Sequence, residues 1–143
     1  MKGEAKMNAF TPIQKTELNK NKIGLAGFQA FLRIAEKWKL KIEQQRTLLG
    51  DIPKSTYYKW KHHVDACESF SLPKDSLERI SYILGIYKAL HILLPDDKSA
   101  NHWIYKNNSA PLFNNTTALD KMLVGNVIDL ADVRRFLDAQ RGL

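Results

Sequence analysis

One cysteine, Cys67, stands in 143 residues. It has no internal partner for a disulfide and no neighbouring Cys for a zinc site, so both frameworks are excluded and a reduced packing residue is expected. Long apolar runs are also missing. The longest patch, around Ile83–Leu94, is broken by Gly85, Lys88 and His91, far short of the roughly 20 residues of a membrane span. With no apolar stretch of signal-peptide length behind the N-terminal lysines, a cytoplasmic location is expected. Alternation of polar and apolar residues never persists long enough for a strand. Nor is there a Gly-rich phosphate loop, a nucleophile elbow or an acidic pair in an apolar setting, which argues against an enzyme. His62 and His63 are adjacent and so face different ways on a helix, while His102 lacks a partner one turn on; neither metal nor cofactor is expected.

Acidic residues are scarce in one half only. Residues 1–65 hold 13 Lys and Arg against 6 Asp and Glu, whereas residues 66–143 hold 9 of each, so the whole net charge of +7 lies in the first half. A clustered basic surface suits a phosphate backbone, and a neutral one suits a protein partner. Lys37, Lys39, Lys41 and Arg46 are mixed with Glu36 and Glu43, so no purely cationic face exists for a membrane, and nucleic acid is the better match.

Helical periodicity dominates what is present. Residues 1–22 are polar, rich in Lys and Asn and without sustained periodicity, and are expected to form a flexible basic arm. Leu25, Phe28, Phe31 or Leu32, Ala35 and Trp38 line one face of a helix over about 24–39. Ile42, Arg46 and Leu49 continue the spacing to Gly50, which stops it. Pro53 fits the first turn of a helix running to about Val64. Residues 65–72 read as a connector. A long helix follows, bounded by Pro73 and Pro95, in which Gly85 marks a close helix crossing. Shorter helices are expected over about 98–105, 116–124 and 129–139, with Asn107–Pro111 and Asn114-Asn115 as turns. The fold class is all-α.

Residues 41–63 therefore have the layout of a helix-turn-helix, within a lobe spanning 23–65. Tyr57, Trp60 and Val64 share one face of the second helix and anchor it inward. Lys54, Ser55, Tyr58, Lys59, Lys61 and His62 face solvent. Residues near the start of such a helix read base edges, so Lys54, Ser55 and Tyr58 are candidates for direct readout. Lys59 and Lys61 are candidates for phosphates, with Lys41 and Arg46 on the flanking backbone. The turn is one residue longer than the commonest form.

In the second half, the run from Leu77 to Leu90, then Trp103, Leu112-Phe113, Ala118-Leu119 and Met122, and finally Asp132 to Gly142, resembles the Xre/MbcA/ParS antitoxins over about residues 40–143. The resemblance implies a helix-turn-helix lobe packed on a helical toxin-binding and dimerisation domain at 96–143, with 66–95 as connector and long helix. It implies a RES-domain, NAD-depleting toxin as partner, operator double-stranded DNA as the second partner, and a homodimer. Trp103 matches a family tryptophan and is expected in the core. Asn107, Phe113, Arg134, Arg135 and Arg141 match positions that the resemblance places at the toxin. Lys106 stands where a proline is usual, and Asn114-Asn115 replaces a Gly-Gly pair. A free-standing dimeric regulator, or a protein-binding module with a helix-turn-helix scaffold, remain competing readings.

Overall fold

The computed structural model describes residues 11–143, and within them the chain forms seven α-helices, one 3-10 turn and no strand. Helix α1 covers Pro12–Lys37. It begins much earlier than periodicity suggests, because Thr11, Pro12 and Gln14 form a helix start: the Thr11 hydroxyl accepts the Gln14 N–H at 3.1 Å and the Gln14 side chain accepts the Thr11 N–H at 2.7 Å. Residues 12–22 of the expected flexible arm are thus helical, although almost all are exposed. The arm's first ten residues lie outside the described ones.

Phe28, Phe31, Ile34 and Ala35 bury the inner face of α1. The helix then stops, where the sequence pattern ran on. Lys39 takes φ 55° and the Leu40 N–H donates back to the Ala35 carbonyl at 2.9 Å, a left-handed closure that usually falls to Gly. Helix α2 (Ile42–Leu48) and helix α3 (Lys54–Asp65) follow. Pro53 caps α3 rather than sitting in its first turn. Tyr57 and Trp60 point inward, edge-on to Phe28 at 6.0 and 5.6 Å between ring centres. Such edge-to-face pairs add to the burial of their apolar area.

Helix α4 (Lys74–Leu93) is the spine of the molecule, packing against α1 and against the last helix, α7 (Val127–Gln140). Between them lie α5 (Asp97–His102), the 3-10 turn Trp103–Tyr105 and α6 (Ala118–Met122). Ile80, Ile83, Ile86 and Leu90 of α4 join Phe28 and Trp60 from one half and Leu119, Met122, Leu130 and Val133 from the other in one core. Two glycines allow close packing. A Cβ on Gly24 would stand 2.0 Å from the Phe70 carbonyl oxygen, so α1 meets the connector backbone to backbone. A Cβ on Gly85 would stand 1.6 Å from Nη1 of Arg134. The α4–α7 crossing expected at Gly85 is there, and a guanidinium occupies the space.

Candidate functional sites

The turn between α2 and α3 is held from three sides. Gly50 and Asp51 both take positive φ, 112° and 56°, which glycine accepts freely and Asp tolerates. Arg46 Nε donates to the Ile52 carbonyl at 2.9 Å across the turn. Ser76 of α4 donates to the Leu49 carbonyl at 2.8 Å. Behind the turn, the Tyr57 hydroxyl donates to Gln45 Oε1 at 2.7 Å and Gln45 Nε2 donates to the Leu40 carbonyl at 3.0 Å. This chain of buried polar groups fixes α3 against α2, since each member left alone would cost its full desolvation. Burial, and then the neighbouring Tyr58, push the Tyr57 phenol above its ordinary pKa and keep it a donor.

That scaffold turns one face of α3 outward. Lys54, Ser55, Tyr58, Lys59 and His62 are exposed, as is Lys41 at the start of α2, while Lys61 is half-buried. Lys41, Arg46, Lys54 and Tyr58, together with Glu43, line a surface cleft of about 470 Å³ between the starts of α2 and α3. None of Lys41, Lys54, Lys59 and Lys61 pairs with a carboxylate among the described residues. Unpaired lysines of this kind are free to displace counterions from a phosphate backbone. Arg46, expected on the flanking DNA backbone, lines this cleft while its Nε holds the turn.

Around α6 and α7 the charges pair within the chain. Arg134 Nε donates to Asp138 Oδ2 at 3.1 Å, Arg141 Nη1 lies 3.6 Å from Asp138 Oδ1, and Arg135 pairs with Asp132. Lys121 joins Asp129 at 2.8 Å, and that hydrogen bond, ahead of the charges of Asp129 and Asp132, holds its ammonium above the ordinary lysine pKa. Each of the three arginines expected at the toxin thus lies against an aspartate, with Asp138 shared by Arg134 and Arg141 and Asp132 shared by Arg135 and Lys121.

Phe113 requires correction as a contact residue. It is 2% exposed and packs edge-on to both Trp103 and Phe136, at 5.8 and 5.0 Å between ring centres. Its ring is part of the core. Asn107 is exposed and bridges to Thr117, which leaves its side chain at the surface. Asn114 and Asn115 take φ 50° and 64°, so the two asparagines fill the left-handed positions for which a Gly-Gly pair is suited.

Sequence reasoning missed an apolar groove. Leu93 and Leu94 at the end of α4, Trp103, and Phe136 of α7 line an open depression of about 350 Å³, with Asn108 and Gln140 also contributing to its wall. The four apolar side chains pack against the core while staying half-buried.

A helix-turn-helix whose outward lysines have no carboxylate partner among the described residues, joined through one core to a second helical domain, has the layout of a DNA-binding module with a further domain attached. Comparison with known families makes this specific. Residues 25–85 match the antitoxin Xre-like helix-turn-helix domain, and residues 89–142 match the antitoxin Xre/MbcA/ParS C-terminal toxin-binding domain. The chain belongs to the Xre/MbcA/ParS antitoxin family, whose members are not enzymes. It is also similar to the uncharacterized protein y4oB of Sinorhizobium fredii, 44% identical over 117 residues that cover 82% of this chain and 85% of the relative. No solved structure matches the chain. Among the described residues no helix is long and apolar enough to cross a membrane.

Proposed function

We propose that this antitoxin neutralises a RES-domain, NAD-depleting toxin in the cytoplasm by binding it directly, and represses its own operon by binding the operator as a homodimer. The DNA half of this reading is carried by the unpaired lysines on the outward face of α3. Lys54, Ser55 and Tyr58 read base edges; Lys59, Lys61 and Lys41 hold phosphates, and Arg46 supports the turn that sets their angle. In a dimer, two α3 helices enter successive major grooves about 34 Å apart. The toxin half is carried by the match to a toxin-binding domain, with Asn107, the α7 residues Arg134 and Arg135, and Arg141 just past the end of α7 on the toxin side.

Two measurements test this. Operator affinity, followed by fluorescence anisotropy, should fall with salt by roughly 0.9 log units per log unit for each phosphate neutralised. The double variant Lys59→Ala/Lys61→Ala should flatten that slope by about 2 without changing sequence preference. An unchanged slope removes both lysines from the interface. For the toxin, co-expression with the protein encoded beside it should restore growth and cellular NAD+. Truncation after Gln140, which keeps α7 whole and removes Arg141, should weaken neutralisation but leave operator binding intact. Full protection by the truncated chain would take the tail out of the toxin contact.

A further inference from the structure

A domain that is neutral by count, with the cations of its last two helices already paired, has little electrostatic attraction to offer a partner from that side. Residues 89–142 contain six Lys and Arg and six Asp and Glu. Arg134 and Arg135 of α7, and Arg141 just past its end, sit against Asp132 or Asp138. Opening those pairs to reach a partner's carboxylates exchanges one ion pair for another, with small net gain. Apolar burial is then the larger source of affinity, and the groove of Leu93, Leu94, Trp103 and Phe136 gathers four half-buried large apolar side chains on one concave surface.

We propose that this groove seats an apolar anchor, aromatic or leucine-like, carried on the surface of the toxin. The assignment rests on the toxin-binding reading of the domain. Every residue lining the groove falls within the 89–142 match, so the groove belongs wholly to the part of the chain that the family uses for its toxin. Its volume of about 350 Å³ is at the low end for a binding pocket and suits one anchoring side chain better than an extended ligand. The polar ends of Asn108 and Gln140 provide partners for the backbone that flanks the anchor. Rigid aromatic walls assist as well: Trp103 and Phe136 are stacked 6.4 Å apart, so little side-chain freedom is lost when the groove fills.

The test uses the full chain and the toxin encoded beside it, with calorimetric titration of one into the other. Gln140→Trp places a ring over the groove from an exposed position, and Leu94→Glu puts a charge in its wall. Each should weaken toxin binding at least tenfold, the loss typical of blocking an anchor pocket. Val124→Ser, which removes an exposed apolar side chain elsewhere in the domain, should leave binding unchanged. Unfolding curves and operator binding of Gln140→Trp, close to those of the parent, show that the fold is intact. Toxin affinity within threefold of the parent in both groove variants overturns the proposal. So does a change of oligomeric state without loss of toxin binding, which would make the groove a contact between copies of this chain. Failure of the parent chain to bind the toxin overturns it too. The RES assignment stands or falls separately: a toxin that binds through the groove but leaves NAD+ untouched refutes that assignment and keeps this one.

Discussion

Arg79 is the side chain whose loss should reveal most about how the two halves are joined. It lies in α4 with only 10% of its side chain exposed, donating from Nε to Asp75 Oδ2 at 2.9 Å and from Nη1 to the Gly125 carbonyl at 2.8 Å. Gly50 of the helix-turn-helix turn packs beside both Asp75 and Arg79. One guanidinium thus ties the DNA-side turn to the loop between α6 and α7. Replacing it with Met keeps the aliphatic packing and removes both bonds. The buried charged bond to Gly125 is worth about 1.5–3 kcal/mol, a figure that already includes leaving the carbonyl unpartnered. The Asp75 pair adds about 0.5 kcal/mol, because that carboxylate is 55% exposed. The expected loss is about 2–3.5 kcal/mol, read as a lower urea midpoint at unchanged slope, or a melting point reduced by roughly 4–14 °C for a chain of this size. Arg79→Lys should recover less than half, since one ammonium lacks the fork that reaches both partners. A loss under about 0.5 kcal/mol in Arg79→Met would refute the bridge.

Gly24→Ala and Gly85→Ala should differ in cost although both glycines lie in helices. The first drives a Cβ into the Phe70 backbone and should cost about 1–3 kcal/mol. The second meets only the movable end of Arg134, and the roughly 1 kcal/mol of helix propensity gained should offset most of the strain; equal destabilisation in denaturant melts would contradict this. The raised pKa of Tyr57 makes a statement about pH. Its contribution is fully present below the unfolded tyrosine value near pH 10 and is lost as pH rises through the higher folded value. Tyr57→Phe should therefore be less stable than the parent at neutral pH yet lose stability less steeply above about pH 10, and parallel alkaline curves would argue against it.

The core of the helix-turn-helix lobe was legible because burial there follows helical spacing. Phe28, Phe31, Tyr57 and Trp60 are where periodicity puts them, and Gly50 stops its helix as a residue tolerant of positive φ should. The start of α1 was missed for a different reason: residues 12–22 face solvent, so no apolar period marks them, and only the Thr11, Pro12 and Gln14 cap carries the signal. The break at Lys39 has no marker in composition, since a lysine takes the left-handed position and Leu40 closes the turn. The groove was invisible for a third reason. Leu93, Leu94, Trp103 and Phe136 look like core residues in sequence, and only the packing of three separate segments leaves a space among them.

Charge shows where sequence and structure carry different information. A count of 13 cations against 6 anions in residues 1–65 and 9 against 9 thereafter sets the part that carries α2 and α3 apart from the part that carries the toxin-binding match. A count says nothing of pairing, however, and pairing decides what a cation can do. Lys54 and Lys59 stand exposed without a described partner, so their field reaches outward. Arg134, Arg135 and Arg141 carry the same charge, but Asp132 and Asp138, three or four residues away on the same helix, absorb it. The i to i+3 and i to i+4 spacings were present in the sequence all along. Applied to α7 and its C-terminal end, they place each of the three arginines expected at the toxin beside an aspartate of its own segment.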